Sequence, residues 1–287
     1  MRIANEHLSA EIALEGGELQ ALAAVDGRSF LWHGDPAWWN FRAPLLFPVI
    51  GESPGGTVAI DGQVRPIGKH GFTRTATFEA VEAADTRCVV RLEDSAETRA
   101  SYPFAFTLDV TYRLEGATLA TEAAVTNCSD RPMPACFGFH PAFLWPLPGC
   151  DGLDHVVRLE GGREPSYRRL NSQGVVAPAL LPSAFTKGEM VLDHDLFAAD
   201  ALLMEHGAGD TAWYGAVGKP GLRLRFVNLS QLAIWSKPGE APFVCIEPWH
   251  GMTYIAGDSP ELVARRGASV VSPGERLVCR LDITVET

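Results

Sequence analysis

The strongest constraint in this chain is an alternation of apolar and polar residues with a period of two, in short runs cut by turn residues. From Phe104 to Leu114 the apolar side chains fall on every second position: Phe104, Phe106, Leu108, Val110, Tyr112 and Leu114. Glu115-Gly116 follows as a turn, and Thr118 to Asn127 resumes the pattern. A period of two matches the pleat of a strand with one buried face, so the two runs predict an antiparallel hairpin. Similar runs occur at Leu8–Leu14, Glu18–Ala24, Thr75–Val81, Cys88–Glu93, Leu222–Phe226, Leu232–Trp235 and Arg276–Ile283. Helical periodicity is scarce, with room for a turn or two near Pro182–Phe185 and Pro260–Val263. Many strands without intervening helices predict stacked antiparallel sheets or a barrel rather than a βαβ fold. No linker, low-complexity stretch or fixed-period repeat divides the 287 residues, so residues 1–287 read as one all-β domain.

Charge and composition then exclude several function classes. The chain has 24 Lys and Arg against 35 Asp and Glu, a formal charge of −11. That balance lacks the basic surface a phosphate backbone requires, so no nucleic-acid partner is expected. No apolar run approaches the ~20 residues needed to span a bilayer, so no membrane association is expected. The start, Met1-Arg2-Ile3-Ala4-Asn5-Glu6-His7, lacks the pattern of a signal peptide, which makes the cytoplasm the expected compartment. The six cysteines include no C-x-x-C pair, and several sit in apolar runs such as Val244-Cys245-Ile246; they read as buried, reduced thiols. Neither a Walker loop, a dinucleotide fingerprint nor a Gly-x-Ser-x-Gly elbow is present. No H-x-H or H-x-x-x-H pair suggests a metal, and neither a metal nor an organic cofactor is expected.

Three segments place polar residues in unusual company: Lys69-His70-Gly71-Phe72-Thr73-Arg74, Phe137-Gly138-Phe139-His140-Pro141 and Val244-Cys245-Ile246-Glu247-Pro248-Trp249. In the third, a carboxylate ends an apolar run and must be hydrogen-bonded or paired. A partly desolvated setting raises its pKa, which suits a general base. His140 lies in an aromatic run and fits either a core histidine or an acid–base group. Trp249, Phe72, Phe139 and Trp235 fit either a core or a stacking floor for the C–H face of a sugar.

Read in order, these segments resemble the aldose 1-epimerases of the galactose-mutarotase-like superfamily, particularly the LacX-like branch. The resemblance extends through Phe30–Pro36, Ala43-Pro44-Leu45-Leu46-Phe47-Pro48-Val49-Ile50-Gly51, Tyr102-Pro103-Phe104, Leu196–Leu202, Trp235-Ser236 and Gly274-Glu275, nearly the whole chain. It implies a β-supersandwich of antiparallel sheets. It also implies a reaction, interconversion of the α- and β-anomers of a free aldose. Glu247 matches the base that takes the proton from the C1 hydroxyl, and His140 the acid that protonates the ring oxygen. His70 matches a second histidine that hydrogen-bonds the sugar. Arg42 and Arg74 both qualify as the arginine that holds sugar hydroxyls. Asp200, which opens the strand-like run Ala201–Met204, is preferred over Asp195 as the sugar-binding aspartate. Trp249 would contact the substrate as well. The LacX-like pattern has an Arg after Gly51, where this chain has Glu52. The alternatives are a hexose-6-phosphate mutarotase and a non-catalytic carbohydrate-binding protein on the same fold. Exposed strand edges fit either a monomer or a homodimer.

Overall fold

The hairpin read from alternation forms as expected, and the fold grows outward from it. In the computed structural model, which describes residues 1–286, strands Phe106–Glu115 and Thr118–Asn127 pair antiparallel through ten residue pairs. Along the first strand buried and half-buried positions alternate, with Phe106, Leu108, Val110, Tyr112 and Leu114 inward. Each such side chain contributes about 2 kcal/mol on leaving water.

This hairpin is the middle of a nine-stranded antiparallel sheet. Across it the order is Glu189–Val191, His155–Leu159, Thr211–Ala216, Leu222–Val227, Arg276–Val285, Thr118–Asn127, Phe106–Glu115, Arg87–Glu93 and Glu79–Ala83. A six-stranded sheet packs against it, built on Phe243–His250. On one side of that strand lies Gln231–Trp235 and beyond it Leu202–Met204. On the other side two short strands share its edge, Phe137–Phe139 toward its end and Ala142–Leu144 toward its start, with Leu45–Leu46 outside the former. Aromatic contacts join the two sheets: Phe47 meets Phe106 at 5.1 Å between ring centroids, and Phe143 meets Tyr214 at 6.1 Å. One continuous apolar core fills the space between. The architecture is the expected all-β sandwich of antiparallel sheets.

Three local expectations are corrected. The six-residue helix Ala96–Ser101 has no counterpart in the periodicity, because it is set by its cap: Ser95 and Thr98 exchange the two hydrogen bonds of a capping box. Residues 182–185 are not helical, while the other candidate forms a single 3₁₀ turn at Leu262–Ala264, within the turn or two expected. Glu247 does not end its strand, which continues through Pro248 to His250. Proline is tolerated there because the edge facing its nitrogen falls at the break between Phe137–Phe139 and Ala142–Leu144. Two residues earlier, Ile246 N–H on that same edge bonds Pro141 O at 3.2 Å.

Candidate active site

That break in the sheet sets the site. His140 and Pro141 occupy it, directly beside the middle of Phe243–His250, so the histidine comes to Glu247 across an interrupted ladder. His140 Nε2 and Glu247 Oε2 are 3.0 Å apart, and the residues are only 6% and 2% exposed. Burial pushes the Glu247 carboxyl well above the usual carboxylate range; Lys69 opposes this and Asp200 adds to it. Burial also pushes the His140 imidazole down to about 3, with Arg74 and Lys69 acting in the same direction. The imidazole stacks on Trp39 at 4.9 Å between centroids and meets the edges of Trp235 and His70 at 6.0 and 5.5 Å. Its Nδ1 has no hydrogen-bond partner among the described residues.

His70 is held by a reciprocal pair of bonds. Gly51 N–H donates to its Nδ1 at 3.0 Å, and its own backbone N–H donates to Gly51 O at 2.9 Å. A lone pair used at Nδ1 leaves the ring proton on Nε2, a donor for anything in the cavity. Burial pushes this imidazole well down as well, helped by His140, Arg74 and Lys69. The backbone at His70 is left-handed, φ 65°, and Gly71 follows at φ 78°. A Cβ on Gly71 would lie 1.9 Å from Phe47 O, so the chain approaches the Leu45–Leu46 segment too closely for any side chain there.

These groups line one cleft, with about 120 Å³ of space open to water inside it. Arg74, from the turn Thr73–Thr75, reaches it with its guanidinium anchored on Lys69 O at 2.6 Å and lying 5.0 Å over the Phe41 ring. Arg42 does not line the cleft; its guanidinium lies against Gly34, where a Cβ would come within 2.7 Å of it. Asp200 lines the cleft, again from a left-handed residue, φ 65°, whereas Asp195 sits in the turn His194–Phe197, outside the lining. Trp249 lines the cleft with its indole across Gly138, where a Cβ would meet Cδ1 at 2.6 Å. Trp235 joins it. Phe72 and Phe139 do not: Phe72 packs on Phe47, Tyr102 and Phe106, and Phe139 on Phe137.

Residues that the sequence did not mark also line the cleft, notably Trp39 and Thr253. Trp39 is placed by a loop, with Trp32 Nε1 donating to its carbonyl at 2.8 Å, and nothing in its local sequence distinguishes it from its neighbour Trp38. Trp249 Nε1 and Thr253 Oγ1, like His140 Nδ1, are buried polar atoms without a hydrogen-bond partner among the described residues. Among the described residues one trio could ligate a metal: His140, Cys245 and Glu247, whose donor atoms lie within 4.8 Å of one another. Burial pushes the Cys245 thiol well up, toward the protonated form that ligates poorly.

The family profile of the aldose 1-epimerases matches residues 1–256. Protein LacX of Lactococcus lactis is 28% identical over an alignment of 309 positions covering 99% of both chains. A galactose mutarotase-like protein of Lactobacillus casei superposes with a TM-score of 0.92 at 28% identity, over 100% of this chain and 99% of its own. A galactose mutarotase related enzyme of Lactobacillus acidophilus gives 0.90 at 25% identity, over 100% and 97%. With the profile covering most of the sequence and the fold reproduced from end to end, the chain belongs to the aldose 1-epimerase family.

Proposed function

We propose that this protein is a mutarotase, interconverting the α- and β-anomers of a free aldose by acid–base opening of the sugar ring. The observation that carries the reading is the buried Glu247–His140 pair, 3.0 Å apart on the wall of a cleft with aromatic and polar lining. The reaction must move one proton off the C1 hydroxyl and one onto the ring oxygen, two atoms bonded to the same carbon. A carboxylate and an imidazole in mutual contact are spaced for that pair of transfers. Glu247 takes the hydroxyl proton as the C1–O5 bond breaks, and His140 delivers a proton to O5. The open aldehyde turns about C1–C2, after which the O5 hydroxyl attacks the other carbonyl face. The proton on O5 returns to His140, the proton on Glu247 returns to the new C1 oxygen, and no atom is gained or lost.

The remaining residues bind. His70 offers Nε2–H, Arg74 donates to hydroxyl oxygens, and Asp200 accepts from hydroxyl protons. Trp39, Trp235 and Trp249 supply apolar faces for the C–H side of a pyranose. Anomer exchange followed by NMR on fresh α-glucose, α-galactose, α-xylose, α-arabinose and α-glucose 6-phosphate tests the reading. Acceleration of at least one aldose is expected. An enzyme without effect on any of them, but with saturable shifts in its own spectrum, would instead be a sugar-binding protein.

A further inference from the structure

Four charged side chains line the cleft beside the buried pair: Lys69 and Arg74, Glu52 and Asp200. The pair itself carries no net charge whether its shared proton lies on Glu247 or on His140, and burial holds His70 neutral. Two cations therefore face two carboxylates. Of the two carboxylates lining the cleft, Glu52 is the one whose charge acts on the Arg74 guanidinium, ahead of Glu18 outside the lining. Yet Glu52 makes neither an ion pair nor a side-chain hydrogen bond with the described residues, so its oxygens stay available. The backbone leading to it is nonetheless anchored. Gly51, immediately before it, is clamped by its two hydrogen bonds with His70, donating one and accepting the other, and packed against Thr253, where a Cβ would come within 2.0 Å of Oγ1.

From this arrangement, and resting on the mutarotase reading above, we infer that Glu52 is a specificity-determining residue that sets the cleft to select uncharged aldoses over anionic ones. It does so in two ways. Its oxygens accept hydrogen bonds from sugar hydroxyls, which a neutral aldose supplies in number. Its charge offsets one of the two cations that would otherwise make the cleft net positive and attractive to a phosphate or a uronic carboxylate. Discrimination by charge at a partly exposed residue is a through-space effect, so it weakens as salt shortens the screening length.

The test compares wild type, Glu52→Gln and Glu52→Asp on α-glucose, α-glucose 6-phosphate and α-glucuronate at one pH and two salt concentrations, by anomer exchange. Glu52→Gln is expected to shift the ratio of kcat/KM values toward the two anions by about tenfold, mostly through KM. The shift should shrink at high salt. Glu52→Asp keeps the charge and should retain the wild-type preference, which separates a charge effect from a disturbed loop. An active wild type whose preference survives Glu52→Gln overturns this inference and leaves the mutarotase reading standing. A wild type that accelerates no aldose overturns the reading, and the inference with it.

Discussion

Replacing Glu247 by Gln separates chemistry from packing, because it keeps the volume and a polar head against His140 Nε2, 3.0 Å away, while removing the capacity to take a proton. On the proposed mechanism the variant loses general-base catalysis, about 10²- to 10⁴-fold in kcat, with KM little changed. Stability should move the other way. Burial holds the folded Glu247 carboxyl well above the ordinary 4.5, so the fold favours its protonated form. The stability this confers is fully present below the ordinary carboxylate pKa and is lost as pH rises through the higher folded value. Glutamine carries no titrating proton and removes that slope. Relative to wild type, the variant should gain up to about 1.4 kcal/mol per pH unit across that window. Anomer exchange by NMR reads the first effect, and urea unfolding at pH 5 and pH 8, followed by tryptophan fluorescence, reads the second. A folded variant within about tenfold of wild-type kcat would refute Glu247 as the base. A destabilisation of equal size at both pH values would refute the burial argument.

Two further substitutions probe the supports of the pair. His140 is held down at about 3 against an ordinary 6.5, so the unfolded chain takes up that proton first as pH falls. Stability should be fully present above about 6.5 and drain away toward pH 3, and His140→Gln should flatten that slope in urea midpoints measured between pH 7 and pH 4. Gly71→Ala forces a Cβ to within 1.9 Å of Phe47 O at φ 78° and should cost about 2–4 kcal/mol. Gly27→Ala, at φ 89° with nothing within 4 Å of its Cβ, should cost about 1 kcal/mol, and thermal unfolding of the two variants compares them directly.

What was legible in the sequence follows from range of interaction. The hairpin Phe106–Asn127 could be read because its first strand buries one face, and the pleat writes that choice into every second residue, whereas its second strand is buried at most positions on both faces. The helix Ala96–Ser101 could not, since six residues hold too few turns to show a period and its signal is one capping pair. Glu247, His140 and His70 stand in distinctive local company, and the structure brings all three to one cleft. Trp39 reaches His140 from 101 positions away through a loop whose path is decided by Trp32, Phe243 and Trp235 rather than by its own residues. The choice between Arg42 and Arg74 is of the same kind. Glu18 fixes the backbone at Arg42 by accepting from the N–H groups of residues 42 and 43, at 2.7 and 2.8 Å, and the side chain then lies over Gly34.

The burial that perturbs the two titrating groups also bears on the cost of the proposed proton transfers. To begin ring opening, Glu247 must be ionised and His140 protonated; when the ring is open, Glu247 has gained a proton and His140 has lost one. These two states hold the same number of protons, so the pair passes between them without exchange with solvent. A dry environment disfavours the first, charge-separated state and favours the second, neutral one, as the opposed shifts of the two groups require. The neutral pair is therefore also the resting form, so a proton must pass from Glu247 to His140 across their 3.0 Å contact before ring opening begins, and desolvation adds to the cost of that step. Reclosure regenerates the ionic arrangement, and a sugar hydroxyl on either side of it must replace the hydration it lacks. The chemistry consequently needs polar groups such as His70 Nε2–H, Arg74 and Asp200 close to a pair that is itself kept dry.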